Sequence, residues 1–218
     1  MVVADLTLAE MRLALAPAVA AAAVFDGWTD AAVDAAANVH GVAPATARLA
    51  FGGGAMDRIG AWIERIDADM AAALPAERIG NLSMRERIRT LLQFRLDALA
   101  GYEEALRRAL SIMAMPQNAA ATAQRSWRSA DVMWRLAGDR AADFNHYTKR
   151  ITLAGIYTAT LLVFANDSSE GKADTRAFLA RRIDGVMRFE KLKAQVLRPH
   201  DDRFSLTRFL GRLRYPAR

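Results

Sequence analysis

Apolar residues recur at helical spacing along almost the whole of this chain, and this periodicity constrains its fold more than any other feature. Apolar positions that repeat about every 3.6 residues are typical of amphipathic helices, and no segment shows the sustained alternation of a half-buried strand. Alanine, the residue with the highest helix propensity, dominates a composition in which only 8% of residues are aromatic. The sequence therefore predicts an all-α fold.

The periodicity and the residues that interrupt it predict about ten helices. Ser83 and Glu86 have the spacing of a capping box at the start of the fifth helix, and Pro116 and Gly138 interrupt the pattern later in the chain. The predicted helices span residues 8–25, 29–39, 44–51, 55–74, 84–100, 103–113, 117–136, 141–165, 175–197 and 202–214.

Residues 27–51 have the pattern of a helix-turn-helix. An alanine-rich helix allows close packing, Gly41 allows a turn, and Pro44 suits the first position of a short following helix. Arg48 is the only basic residue on that second helix, which also lacks the Asn, Gln and Lys side chains that read bases. The pattern therefore predicts a structural, degenerate helix-turn-helix within residues 1–54 and no nucleic-acid partner.

Residues that commonly carry catalysis or hold metals are sparse in this chain. It has no cysteine, which excludes disulfides, thiolate zinc sites and cysteine nucleophiles, and it lacks a Gly-x-Ser-x-Gly elbow and a Walker loop. Asp143 and His146 lie on one helical face, but only Asp131 on the neighbouring helices would help to complete a carboxylate-bridged metal site. A buried hydrogen-bond network is the favoured interpretation, and no enzymatic activity, catalytic residue, metal or cofactor is predicted.

The middle of the chain is predicted to be an apolar helical body over residues 55–197, and its core has two interpretations. Residues 151–165 form an uncharged run of fifteen residues, shorter than the roughly 20 that span a bilayer, so this run is predicted to be a buried core helix. Methionine and aromatic side chains adapt to irregular ligands but also fill ordinary cores, so a lipid-sized cavity and a filled core both remain open. The candidate lipid-binding residues are Met113, Met133, Phe144, Tyr147, Ile151, Ala154, Tyr157 and Leu161.

The start of this core helix mixes charged and aromatic residues. Asp143, His146 and Arg150 share one side of the helix. Tyr147 and Ile151 belong to an apolar stripe that is expected to continue into the buried run. The charged side is interpreted as a polar collar at the mouth of a buried helix.

Residues 198–218 give the clearest physical signal in the sequence. Their leucines and phenylalanine fall on one helical arc with arginines on both flanks, which suits a helix lying in a membrane interface. The net charge of +6, from 30 Lys plus Arg against 24 Asp plus Glu, favours an anionic surface. The alternative is a helix docked on its own domain or on a dimer mate. The candidate membrane-binding residues are Arg203, Leu206, Arg208, Phe209, Leu210, Arg212 and Leu213.

A series of less common residues occurs in a characteristic order between positions 27 and 182. It includes Gly27-Trp28-Thr29, Met133-Trp134, Asp143-Phe144-Asn145, Tyr147-Thr148-Lys149-Arg150 and Asp167-Ser168-Ser169. In this series the chain resembles the ubiquinone (coenzyme Q) biosynthesis accessory proteins of the Coq-nine type. The resemblance implies a TetR-like helical bundle, usually a homodimer, whose helix-turn-helix does not serve DNA.

The resemblance also implies a function that needs no catalysis. Such a protein holds an isoprenoid quinone precursor in a hydrophobic cavity and presents it at the membrane surface to the demethoxyubiquinone hydroxylase. The implied contact residues for that partner are Met115, Pro116, Asp131 and Trp134. Eukaryotic members have a His-Tyr pair where this chain has Arg135 and Leu136, so an equivalent hydroxylase is an alternative partner.

The function predicted from the sequence is a non-enzymatic accessory protein of ubiquinone biosynthesis that binds an isoprenoid lipid or a phospholipid at the membrane. The alternatives are a TetR-type transcriptional regulator with a lipid effector and an interaction protein without a ligand. Asp5 and Glu10 occupy the segment in which an export signal would need basic residues. The expected location is the cytoplasm, on the inner face of a bacterial cell membrane.

Overall fold

The computed structural model describes residues 3–139 and 144–196, and these residues fold into ten α-helices without a strand. The helices are α1 (Leu8–Asp26), α2 (Asp30–Val39), α3 (Pro44–Ala50), α4 (Gly54–Ala73), α5 (Ala76–Ile79), α6 (Met84–Asp97), α7 (Glu103–Met113), α8 (Ala119–Leu136), α9 (Phe144–Phe164) and α10 (Ala173–Val196). Short 3₁₀ turns cover Val3–Asp5, Pro116–Asn118 and Glu170–Lys172.

The predicted all-α class with about ten helices is confirmed. The predicted helices up to residue 197 agree with α1 to α4 and α6 to α10 to within a few residues. Periodicity does not predict α5, because a single turn after Pro75 is too short to show a repeat. The predicted helix 202–214 lies outside the described residues.

The first helix packs through small side chains. Thr7 and Glu10 cap it reciprocally: Thr7 N donates to Glu10 Oε2 over 3.0 Å, and Glu10 N donates to Thr7 Oγ1 over 3.4 Å. α1 contacts α2, α3 and α4, and Ala20 of α1 and Ala32 of α2 are fully buried. α1 is long and apolar enough to cross a membrane by length and composition, and the same properties suit the core helix that it forms here.

α2 and α3 form the predicted helix-turn-helix. Between them Gly41 has a φ of 66°, a conformation that glycine adopts without strain. Arg48, the basic residue of α3, donates from Nε to Asp34 Oδ1 of α2 over 2.7 Å. The base that a recognition helix would offer to DNA is therefore used to join the two helices.

Trp28 connects this N-terminal module to the helices that follow. Its indole Nε1 donates to Ala105 O of α7 over 3.0 Å, and its ring lies 5.4 Å from the ring of Trp62 in α4. Arg58 of α4 donates to Trp28 O over 2.9 Å. Residues 1–181 accordingly form one compact unit.

The helical body comprises α4, α6, α7, α8 and α9. α9 runs back along α8, because Trp134 Nε1 near the end of α8 donates to Lys149 O near the start of α9 over 3.1 Å. One residue further on, Arg150 Nε donates to Asp131 Oδ1 of α8 over 2.6 Å. These contacts fix the register of the two helices, and the candidate site lies along them.

The turn before α10 is organised by the carboxylate of Asp167. Its Oδ1 accepts from Ser169 N over 2.8 Å and from Ser169 Oγ over 2.5 Å, and its Oδ2 accepts from Thr175 N over 2.8 Å and from Thr175 Oγ1 over 2.6 Å. Hydrogen bonds from Ser169 and then Thr175 hold the pKa of Asp167 far below its usual value. A second compact unit begins at Arg182, and the structure describes its α10 backbone as far as Val196.

Candidate functional site

A cavity of about 230 Å³ lies between α4, α6, α7, α8 and α9. The wall residues of α4, α7 and α8 follow one another at three- and four-residue steps, because side chains at that spacing share one face of a helix. Most of the wall is aliphatic, which makes the cavity suitable for an apolar ligand. The main aliphatic wall residues are Ile59, Ile63, Ile66, Leu106, Leu110 and Leu161.

One side of the cavity carries a buried arginine. Arg95 of α6 is 1% exposed, and its Nη1 donates to Asp67 Oδ1 of α4, whose Oδ2 accepts from Ser129 Oγ over 2.8 Å. The guanidinium carbon of Arg95 lies 4.7 Å from the ring centroid of Tyr157. Burial opposes the charge on Arg95, but Tyr157 and Asp67 outweigh it and hold the pKa of Arg95 above its usual value. Arg95 is therefore a permanent cation in the cavity wall.

A second arginine, Arg125 of α8, lines the same cavity. Its Nη1 donates to Ala121 O, one turn earlier in its own helix, over 3.3 Å. A Cβ at Gly60 of α4 would lie 2.7 Å from Arg125 Nε, so the glycine makes room for this side chain. Within the described residues, the buried Nε atoms of both Arg95 and Arg125 lack a hydrogen-bond partner.

Some of the predicted lipid-binding residues lie in the cavity wall and others do not. Met113, Tyr157 and Leu161 line it. Met133 is completely buried elsewhere in α8, and half-buried Ala154 also lies outside the wall. The wall thus contains part of the set expected from the sequence, and the binding role of every member stays a prediction.

The predicted burial of an apolar stripe at the start of α9 is wrong. Tyr147 is 58% exposed and Ile151 is 64% exposed, whereas Arg150 is 2% exposed. Arg150 turns inward because its guanidinium reaches Asp131 at 2.6 Å and Asp139 at 3.3 Å, and a buried cation needs such partners. Arg150 thus belongs to a polar network on the inner side of α9, and the predicted role of Asp143 and His146 in such a network stays a prediction. Tyr147 and Ile151 lie outside the cavity wall.

The four residues predicted to contact a hydroxylase lie at opposite ends of α8. Met115 is 43% exposed beside Pro116 in the turn before α8, whereas Asp131 and Trp134 are near the end of the helix. The two pairs are separated by about 22 Å of helix. Asp131 pairs with buried Arg150, so its carboxylate already has a structural role. A partner that contacts all four residues must cover the length of α8.

Two groups of predicted residues lie outside the described part of the chain. They are the membrane-binding residues between 203 and 213, and the side chains of Asp143 and Phe144. Across the part that the structure does describe, no cluster of three or more His, Asp or Glu side chains is arranged to hold a metal ion.

Sequence reasoning missed the two arginines of the cavity wall. In α6, Arg95 continues the spacing of the buried residues Ile88, Leu91 and Leu92, so a charge falls where the apolar stripe predicts a hydrophobic residue. A charged residue in an apolar stripe is the signal that was available for Arg95. Arg125 has no comparable signal, because its neighbours on α8 are mostly polar.

Comparisons with known proteins connect this architecture to a family. The COQ9 family model matches residues 119–190, which cover α8, α9 and most of α10. The rat "Ubiquinone biosynthesis protein COQ9, mitochondrial" is 35% identical over 177 residues, which cover 78% of this chain and 56% of the rat protein. The human protein of the same name is 33% identical, with 78% of this chain and 55% of the human protein covered. This chain is COQ9-like. The resemblance predicted from the sequence is therefore confirmed.

A solved structure shows the same fold. A TetR transcriptional regulator from Nitrosomonas europaea superposes with a TM-score of 0.62 at 24% identity, and the match covers 82% of this chain and 99% of the regulator. The predicted TetR-like fold is thus confirmed, and at this identity the likeness concerns the fold alone.

The names of the relatives correct the predicted location. The chain spans just over half the length of the rat and human COQ9 proteins and of a Dictyostelium discoideum relative that is 25% identical over 176 residues. These relatives are named mitochondrial. The predicted location on the inner face of a bacterial cell membrane is therefore wrong. That prediction relied on the first residues of the chain, which carry no information on location when only part of the relatives is matched.

Proposed function

We propose that this COQ9-like chain is a non-enzymatic accessory protein of ubiquinone biosynthesis that holds an isoprenoid quinone precursor or a phospholipid in its cavity. The observation that carries the proposal is an apolar space of about 230 Å³ in the middle of a COQ9-like helical body. The chain would bind and orient the lipid, and the chemistry would belong to a partner enzyme.

The size of the cavity limits which part of a lipid fits inside it. An apolar cavity of about 150 Å³ binds benzene. The larger volume of about 230 Å³ therefore accommodates one ring with a few carbons, but not a long isoprenoid tail. Leu162 lines the cavity and is 55% exposed, which marks a side on which the cavity approaches solvent. A tail would leave past Leu162.

Lipid extracted from the purified protein tests the proposal. We expect mass spectrometry to detect an isoprenoid lipid or a phospholipid in wild-type protein. Leu110→Trp fills the cavity and should lose that lipid, whereas Leu49→Trp, at an exposed position of α3, is a matched control that should keep it. Repeated absence of lipid from folded wild-type protein contradicts the proposal.

The turn before α8 and the end of that helix are proposed to contact a hydroxylase of the ubiquinone pathway or an equivalent enzyme. Met115 supports this role because it is a large apolar side chain that is 43% exposed. Met115→Asp should weaken binding to the purified hydroxylase in a biosensor assay. Unchanged affinity removes Met115 from the contact surface.

The chain is further proposed to be a homodimer that meets the membrane through residues 198–218. Tyr147 and Ile151 support a dimer contact, because they form an exposed apolar pair one turn apart on α9. Light scattering should give twice the mass of the monomer, and Ile151→Glu should reduce it.

Removal of residues 201–218 should abolish binding to anionic liposomes, and unchanged binding contradicts the membrane role.

A TetR-type regulator with a lipid effector is the second candidate function, because the chain has the fold of a TetR regulator. The helix-turn-helix argues against it, because Arg48 pairs with Asp34 and α3 has no other base for phosphate contacts. Nanomolar, sequence-selective binding to DNA would replace the accessory role with this one.

A further inference from the structure

We infer that the molecule in the cavity carries an anionic oxygen head group, a carboxylate or a phosphate, which the guanidinium groups of Arg125 and Arg95 hold inside the protein. This head group presupposes the proposed function, because it gives the chemical class of the ligand for the same lipid site. A ligand of this class is an acidic amphiphile and not a neutral quinone or alcohol.

The first support is the pair of unused donors in the wall. Within the described residues three buried arginine Nε atoms make no hydrogen bond, those of Arg58, Arg95 and Arg125, and the last two belong to side chains of the cavity wall. Buried N–H groups in folded proteins nearly always have an acceptor, since an unmet donor loses its hydrogen bond to water without compensation. Both side chains line a cavity whose other walls are mainly aliphatic. An acceptor oxygen on a bound ligand would meet both donors.

The second support is the balance of charge around the two arginines, which favours an anionic ligand over a neutral hydrogen-bond acceptor. Arg95 has Asp67 as its counter-charge. Glu64, the other acid on this face of α4, pairs instead with Arg12 at 2.5 Å and with Arg128 at 3.7 Å. Among the described residues, no carboxylate forms an ion pair with Arg125. A cation beside an apolar space is costly without a counter-charge, and an anionic ligand would supply it.

The third support is a glycine in α4, which lets the side chain of Arg125 pack closely against the helix. A Cβ at Gly60 would lie 2.7 Å from Nε and 3.0 Å from Nη2 of that arginine. Gly60 occupies the interior of a helix, where alanine is more stable than glycine. The glycine therefore accommodates the guanidinium at a defined place. Gly60 itself does not line the cavity; Arg125 does, and it also borders a neighbouring, more polar pocket with Gly60, Glu64 and Asp67.

Binding of three amphiphiles with the same chain tests the head group. Oleic acid, oleyl phosphate and oleyl alcohol are each titrated into delipidated protein, and inorganic phosphate is titrated separately. We expect at least one of the two anions to bind about ten- to a hundredfold more tightly than the alcohol, as a charged hydrogen bond provides. The comparison of oleic acid with oleyl phosphate identifies the carboxylate or the phosphate, and inorganic phosphate should bind weakly because it lacks a tail.

Variants of Arg125 and its neighbour show whether that preference comes from the guanidinium. Arg125→Ala should bring the affinity for the anions down to that for the alcohol, while Arg125→Lys retains part of the preference. Gly60→Ala displaces the guanidinium without removing the charge and should also reduce the preference. Arg128→Ala removes a 65% exposed arginine from the same helix and is the matched control that should change nothing. Melting temperatures establish that each variant is folded.

The outcomes separate the head group from the lipid site. Equal affinities for the acids and the alcohol, unaltered by Arg125→Ala, overturn the anionic head group and leave the lipid cavity in place. Absence of binding by all three amphiphiles overturns both. Arg95→Ala would leave the 14% exposed carboxylate of Asp67 without its ion-pair partner and destabilise the fold, so Arg125 is the residue to replace.

Discussion

Two buried arginines of the helical body, Arg150 and Arg95, have opposite surroundings. They are 2% and 1% exposed, so both guanidinium groups have lost their water. Arg150 meets Asp131 through Nε at 2.6 Å and Asp139 through Nη1 at 3.3 Å. Arg95 meets only Asp67 as a counter-charge among the described residues, and its Nε is left without an acceptor. The protein therefore supplies two carboxylate partners to Arg150. It supplies one to Arg95 and leaves the Nε donor of Arg95 for an acceptor on a ligand.

Packing differs in the same way between the two regions. Near Arg150, α8 contributes Ala130 and Met133, both of which have no exposed surface. Near Arg95, the helices leave a cavity of about 230 Å³. A closed network of charges in a filled core stabilises a fold, whereas an apolar cavity with a few polar groups is typical of a ligand-binding site.

The largest effect is expected from Arg150→Ala. Its removal takes the buried shared cation from Asp131 and Asp139, whose side chains are 15% and 4% exposed and which keep the more exposed Arg135 and Lys149 as ion-pair partners. Breaking a buried ion pair typically costs about 3–5 kcal/mol. The free energy of unfolding, measured with denaturant, should fall by that amount. Lipid content per folded molecule should be unchanged, because Arg150 lies outside the cavity wall.

The matched control for this variant is Arg135→Ala. Arg135 pairs with the same Asp131 at 2.7 Å, but its side chain is 74% exposed. An exposed ion pair contributes less than about 1 kcal/mol, so the loss should be small. Equal destabilisation by the two variants would contradict the structural role given to Arg150.

The same substitution made in each region compares the two kinds of packing. Ala130→Leu enlarges a filled core and should destabilise the protein by about 1–3 kcal/mol. Ala109→Leu enlarges an alanine that is 2% exposed but lines the cavity, so delipidated protein should change by less than about 1 kcal/mol. Only Ala109→Leu should reduce the amount of extracted lipid. Equal destabilisation by the two leucines would indicate that the cavity is not free space.

Helical periodicity predicts most of the fold because each helix buries a continuous apolar stripe. α1, α4 and α9 are long enough for the repeat to appear in the sequence, whereas the single turn of α5 is not. Periodicity does not predict which charged side chains are buried, since their burial depends on residues far apart in the chain. Arg95 needs Asp67, 28 residues away, and their pairing becomes visible only when α4 and α6 are packed.

The run that carries the family resemblance includes Arg150 but neither arginine of the cavity wall. Arg150 belongs to the distinctive run Tyr147-Thr148-Lys149-Arg150, yet its contacts are structural. Arg95 and Arg125 lie among other arginines of α6 and α8, and composition does not separate them from exposed charges. The wall residues Met113, Tyr157 and Leu161 were within reach of sequence reasoning because they lie on apolar helices.

The smallest effect is expected at Asp167, a second polar group whose partners, like those of Arg150, are supplied by the protein itself. Asp167→Asn removes the charge that accepts four hydrogen bonds from Ser169 and Thr175, so the variant should have a lower melting temperature at neutral pH. The pKa of Asp167 lies far below 3.8 in the folded chain because of those hydrogen bonds, whereas the unfolded chain titrates near 3.8. Its contribution is therefore fully present above about pH 5 and is lost as the pH falls further.

The difference in stability between wild type and Asp167→Asn should consequently narrow between about pH 5 and pH 3. Denaturant unfolding of both proteins across this pH range measures the difference in their free energies of unfolding. Subtracting one free energy from the other cancels the contributions of the carboxylates that the two proteins share. Asp174→Asn removes an acid from the same turn without removing those four hydrogen bonds, so it controls for the change in net charge. A difference that stays constant down to pH 3 would contradict this role of the Asp167 carboxylate. It would show that, unlike Arg150, Asp167 is not stabilised by partners that the protein itself supplies.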